Sequence, residues 1–139
     1  MPNIENQIRR LGGLASSREL YTHPDDREFV RIAHRYGRIV HVCRGWWATR
    51  EVHCDVLDAR RAGGRLACIS AVRFHAGLPA RAVDGVLHVS VPGNASRLRG
   101  RVEGEVIYHW HRKEPEGSVL AVGLEAAQRQ MARCSAVER

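Results

Sequence analysis

The stretch from Asp25 to Thr49 constrains the fold most, because its side-chain period changes at one place along an otherwise uninterrupted run. Up to Tyr36 the spacing is helical. Phe29, Ala33 and Tyr36 recur at intervals of four and three and share a face, while Arg27, Arg31 and Arg35 recur every four residues on another. From Arg38 the spacing is that of a strand pair. Ile39, His41 and Cys43 alternate with Val40 and Val42, Arg44-Gly45 supplies a tight turn, and Trp46-Trp47-Ala48-Thr49 returns. The expectation is a short helix that packs through Phe29, Ala33 and Tyr36 and exposes arginine, followed by a basic hairpin.

The flanking residues place this pair in a larger unit. Ile4, Ile8 and Leu11 fall at helical spacing, and Gly12-Gly13 is a natural stop because glycine enters the left-handed region cheaply. Ser16 and Glu19 fit a capping box, which predicts a second short helix carrying Leu20 and Tyr21. His23-Pro24 ends it, since proline disfavours helical geometry in the preceding residue, and Asp25-Asp26 suits the positive end of the next helix. Helix, short helix, turn, helix and hairpin is the order of a winged helix-turn-helix, expected over residues 1–50.

After Thr49 the pattern changes, and residues 51–139 are expected to form a small α/β module, giving an α+β protein overall. EVHCDVLDARRAGG reads as an amphipathic helix with Val52, Val56 and Ala59 inward, and LACISAVRFHAGLP as a buried helix ending at Ala76-Gly77. VLHVSV sets Leu87, Val89 and Val91 against His88 and Ser90. VIYHWH sets Val106, Tyr108 and Trp110 against Ile107, His109 and His111, so both are expected strands with a histidine-bearing face. The segment between them has turn residues with Arg97, Arg99 and Arg101 and reads as a flexible, accessory basic loop. LAVGLEAAQRQMARC predicts a last helix with Leu120, Leu124, Ala127 and Met131 on one side.

The formal net charge of +7 favours an acidic partner, nucleic acid before an anionic membrane. That charge comes from 21 Arg and the single Lys113, a bias that a GC-rich coding sequence produces unaided, so the arrangement of the arginines must carry the argument. No apolar run reaches bilayer length and MPNIENQIRR lacks a signal-like apolar region, which predicts a soluble, cytoplasmic protein without membrane contact. Cys43, Cys54, Cys68 and Cys134 contain no C-x-x-C and read as reduced thiols.

Several segments together resemble the AbiEi-type antitoxin N-terminal domain family, the antitoxin half of type IV toxin-antitoxin systems. They are LGGLASSREL, RYGRIVHVCRGWWAT, ARRAGGRLACISAVRFHAGL, LHVSVPGNASRLR and VIYHWHR. In actinobacterial proteins of this kind the arrangement precedes a Vsr-like nuclease domain, and LEAAQRQMARC looks like the helix leading into it. The acidic and lysine residues of such a nuclease have no counterpart here. The resemblance implies a DNA-binding module joined to a module for regulation or partner contact.

The expected function is therefore sequence-specific binding of double-stranded DNA by a transcriptional regulator, a repressor or autoregulating antitoxin-like protein acting as a homodimer. Arg27 and Arg31 would lie nearest the bases, where arginine suits guanine O6 and N7, with His34 on the same helix. Arg35, Arg38 and Arg18 would meet phosphates, and Arg44 with His41 would serve the wing. The alternatives are an antitoxin or phage immunity factor that captures a cognate toxin or other protein, and the targeting remnant of a nuclease. No catalytic set is visible: Ser70 lacks a nucleophile elbow and no glycine-rich phosphate loop follows a strand. No metal or cofactor is expected, because His88, His109 and His111 are the best local cluster and no spacing supplies further ligands.

Overall fold

The structure, a computed structural model, describes residues 3–93 and 102–134. The chain divides into two units, Met1–Val52 and His53–Arg139, and the whole is α+β with two small sheets. Among the described residues no helix is long and apolar enough to cross a membrane.

The first unit comprises α1 (Ile4–Arg10), β1 (Leu14–Ser16), α2 (Ser17–Leu20), α3 (Asp26–Arg35), β2 (Ile39–Cys43) and β3 (Trp46–Thr49). Its sheet is antiparallel in the order β1-β3-β2. The signals at the helix ends act as their chemistry requires. Asn3 caps α1 by accepting from the Asn6 N–H, and Gly12 and Gly13 follow with φ near +97°. At α2 the Ser16 hydroxyl accepts from the Glu19 N–H at 3.2 Å, while the Glu19 carboxylate accepts from the Ser16 N–H at 3.0 Å. The core joins Ile4, Ile8, Ala15, Leu20, Val30 and Ile39, with Tyr21, Phe29, Ala33 and Trp47 packed around it.

Four details depart from expectation. Strand β1 was not anticipated; Leu14 and Ala15 are buried because that strand completes the sheet beside β3. Tyr36 does not pack: it caps the C-terminal end of α3 and is 75% exposed, while Val30 is fully buried. Leu11 is likewise a cap residue, 42% exposed. In β2 the alternation breaks at a bulge between His41 and Cys43, which turns Val42 inward.

The second unit comprises α4 (Cys54–Arg61), β4 (Arg65–Leu66), α5 (Cys68–His75), β5 (Leu87–Pro92), β6 (Val106–His111) and α6 (Leu124–Arg133). Its sheet runs β4-β5-β6, with β4 antiparallel and β6 parallel to β5. A parallel neighbour demands a crossover of about a dozen residues or more, and that is what the 93–105 connection spans. The loop arginines Arg97, Arg99 and Arg101 lie outside the described residues. Beyond β6 the chain returns beside β4: the Val122 N–H donates to Leu66 O at 2.9 Å and the Leu66 N–H to Leu120 O at 3.2 Å. Gly64 holds the α4–β4 turn against β5, since a Cβ there would lie 2.0 Å from Ser90 O.

Here too the predicted faces are corrected. Val52 precedes α4 rather than belonging to it, whereas Val56 and Ala59 are buried as expected. Both faces of β5 are buried, from Leu87 through Val91, because α5 covers the side that carries His88. The final helix begins only at Leu124, since residues before it bridge to Leu66, and Ala126, Ala127 and Gln130 form its buried side, leaving Leu124 exposed.

Candidate nucleic-acid interface

From Phe29 to Arg50 the sequence has no carboxylate and carries Arg31, Arg35, Arg38, Arg44 and Arg50. The fold turns that run into one helix and one hairpin. At 3.6 residues per turn Arg27, Arg31 and Arg35 form a stripe on the side of α3 opposite Phe29 and Ala33, with His34 at its edge next to Val30, and all four are exposed. Arg38 is exposed in the turn to β2, Arg44 at the tip of the hairpin and Arg18 on α2.

The ring of Trp47 orients the helix against the hairpin. It packs edge-on to His34 with centroids 5.5 Å apart and against His41 at 4.7 Å, and its indole N–H donates to the Ser17 hydroxyl at 3.1 Å. His34 and His41 therefore join α3 to β2 and β3 besides facing solvent. Sequence reading placed both on the interface but did not see this cluster, which depends on the cross-strand pairing of His41 with Trp47.

The arginines differ in what holds them. The Arg27 guanidinium lies 5.1 Å from the centre of the Tyr21 ring, a cation–π contact that steadies it beside the start of α3. Arg31 forms a two-pronged pair with Glu28, with Nε donating to Oε2 at 3.0 Å. This pairing, chiefly its hydrogen bond, holds the Glu28 carboxyl below the usual range and raises Arg31. Both partners are more than half exposed, so the pair is weak in water and a phosphate can displace the carboxylate. Among the described residues no ion pair engages Arg18, Arg35, Arg38 or Arg44.

Asp26 stands apart from this surface despite its place in the sequence. Its buried carboxylate accepts from the N–H groups of Thr22 and His23 at 2.9 and 2.7 Å and from the Thr22 hydroxyl at 3.1 Å. Burial works to raise its pKa, but these bonds prevail and hold it below the ordinary aspartate range. It fixes the turn that aims α3.

The second unit contains a different concentration of functional groups. Parallel pairing sets His109 opposite Ser90 and diagonal to His88 on the same face, with Nδ1 of His88 3.0 Å from Nε2 of His109. Cys134, capping α6, places Sγ 3.9 Å from the former and 4.0 Å from the latter. Cys68, the first residue of α5, completes a set whose four donor atoms lie within 4.8 Å of one another. The expectation that no further ligands converge on these histidines is thus corrected: the thiols arrive from distant elements. His111 belongs elsewhere, its Nε2 lying 2.8 Å from the Gln130 amide nitrogen.

Burial, aided by His109 and opposed by Glu105, pushes the His88 imidazole down to about 4; burial and then His111 lower His109. Burial is also the main reason the Cys68 thiol is pushed up to about 11, with Cys134 adding to it. His75, read as structural, bonds through Nε2 to Val122 O at 2.8 Å. No protein-family model matches this chain, and no curated protein sequence matches it either.

Proposed function

We propose that the chain is a sequence-specific double-stranded DNA-binding regulator whose first unit is a winged helix, with α3 as the recognition helix and the β2–β3 hairpin as the wing. The observation that carries this reading is the exposed Arg27, Arg31, His34 and Arg35 side of α3 beside a hairpin tipped by Arg44, in a run free of carboxylates after Glu28. Support comes also from the order of elements and the β1-β3-β2 sheet, which set a helix and a hairpin side by side.

In this reading α3 enters the major groove with Arg27 and Arg31 toward base edges, and Arg31 exchanges Glu28 for guanine or phosphate. Arg35, Arg38, Arg18 and Arg44 contact the backbone, fixing register and releasing counterions. A winged helix covers a short site, so a homodimer on paired half-sites is the expected active form. Autoregulation or repression then follows from occupancy of an operator.

Selection of bound duplexes from a random library by the full chain tests this. A recurrent motif, bound with an affinity that falls as salt rises by a log–log slope of roughly −4 per bound chain, is the expected outcome for about four phosphate contacts each. Recovery of unenriched sequence, or no binding at moderate salt, would remove the assignment.

The second reading is capture of a protein partner, as in an antitoxin or immunity factor. It is favoured by a cleft of about 900 Å³ in the second unit lined by Tyr108, the half-exposed Trp110, Lys113 and Arg129. Copurification of one stoichiometric partner from the native host, with no duplex motif selected, would favour it over DNA binding.

A further inference from the structure

We propose that Cys68, His88, His109 and Cys134 bind one zinc(II) ion in a closed tetrahedral site that locks the second unit together. Zinc takes sulfur at about 2.3 Å and imidazole nitrogen at about 2.0–2.1 Å, so a tetrahedral Cys2His2 site sets its nitrogens roughly 3.3 Å apart and nitrogen from sulfur roughly 3.6 Å. Here the nitrogens are 3.0 Å apart and Cys134 Sγ is 3.9 and 4.0 Å from them. For these three atoms shifts of a few tenths of an ångström convert one arrangement into the other, and drawing in Cys68, in a set whose donors lie within 4.8 Å, asks for about an ångström at most.

The surroundings are those of a built site rather than of four side chains that happen to meet. Cys68 is the non-glycine residue with positive φ, 52°, among the described residues, a left-handed geometry that an L side chain adopts at an energetic cost. Its N–H is tied at 2.8 Å to the Gln130 side-chain oxygen, and Gln130 also engages His111. The Ser70 hydroxyl accepts the His88 N–H at 2.9 Å, fixing the strand where that ring departs. Such outer contacts orient the groups that bear the donors.

A plain hydrogen bond between the two imidazoles accounts for two of the four groups. It gives no reason for two thiols to converge on the same nitrogens. Sulfur and imidazole in equal number select zinc over oxygen-seeking magnesium or calcium, and four protein donors leave no open position for substrate, which makes the role structural. The ion would join the start of α5, the start of β5, the middle of β6 and the end of α6. His88 and His109 are 21 residues apart and Cys134 a further 25, so each bond closes a long loop of chain.

The test uses the full chain purified under reducing conditions. Elemental analysis should find about one zinc per chain, and cobalt(II) added after chelation should give intense visible bands of a tetrahedral ion with thiolate charge transfer in the near ultraviolet. Chelation should lower the melting temperature, and zinc should restore it. Cys134→Ser and His109→Ala should each lose stoichiometric binding, while Cys54→Ser, at an exposed position outside the cluster, should retain it. Should these variants fail to fold, the cobalt titration of the wild type decides. A reduced, metal-stripped, folded wild type that binds neither ion, or that binds cobalt without thiolate charge transfer, would overturn the proposal.

Discussion

Residues 1–52 hold nine arginines against six carboxylates, and residues 53–139 hold thirteen basic side chains against nine acidic ones, so net charge barely separates the two units. Placement separates them. In the first, the arginines of α2, α3 and the hairpin tip stand in solvent. In the second, Arg81 and Arg65 are each only 12% exposed at the side chain and serve the fold. Arg81 pairs with Asp55 at 2.5 Å and Asp58 at 3.2 Å and donates to Glu103 O, while Arg65 donates to Ser118 O at 2.8 Å and to Pro115 O. A guanidinium engaged by carbonyls and carboxylates of its own fold is not free to meet an anion, whereas one held by Tyr21 or by an exposed Glu28 is. The sum of charge therefore says little about where a polyanion binds.

The largest expected effect tests the inward use of arginine. Arg81→Ala leaves Asp55 buried without its cation and should lower unfolding stability by about 3 kcal/mol in a urea titration, while DNA affinity per folded molecule is retained. Loss of DNA binding at unchanged stability would break the division drawn above. Next comes Arg31→Ala, which should weaken binding to a selected duplex about tenfold and binding to random duplex far less. Glu28→Gln should move affinity the other way, because it frees Arg31 and removes a negative charge from the same surface. If both variants bind as the wild type does, Arg31 is a solvated side chain and not a reader.

Smaller again is Ser16→Ala, which removes the capping box of α2 and should cost about 1 kcal/mol by thermal melting. The last effect concerns pH. The folded pKa of Asp26 lies below its unfolded value, so its contribution is fully present above the unfolded pKa and is lost as pH falls through the folded one. Stability of the first unit should decline across the acid side of the usual carboxylate range, and Asp26→Asn should flatten that decline. An unchanged pH slope in that variant would assign the acid sensitivity to other groups.

The same contrast explains what could be read from the residues alone. Ser16 with Glu19, Gly12-Gly13, His23-Pro24 and Arg44-Gly45 are signals between near neighbours in sequence, and each sits at the helix end or turn it announces. Tyr36 was misassigned because helical spacing alone does not say where the helix ends, and as its cap the residue swings clear of the core. Strands β1 and β4 are too short to show a period, and exist because β3 and β5 offer them partners. The donor cluster was hidden for a related reason. Its histidines meet only because β5 and β6 run parallel in one register, and its thiols arrive from the ends of α5 and α6. No motif spacing encodes a meeting of four elements. The exposed arginine face, in contrast, needs only the 3.6-residue period of one helix.

The most direct test compares the affinity of the full wild-type chain for duplex DNA at moderate salt with that of a chain carrying Arg27→Ala, Arg31→Ala and Arg35→Ala together, each shown to be folded by thermal melting. A winged helix reading through α3 predicts a loss of about a hundredfold or more and a shallower salt dependence. Equal affinity in the two folded proteins would contradict it.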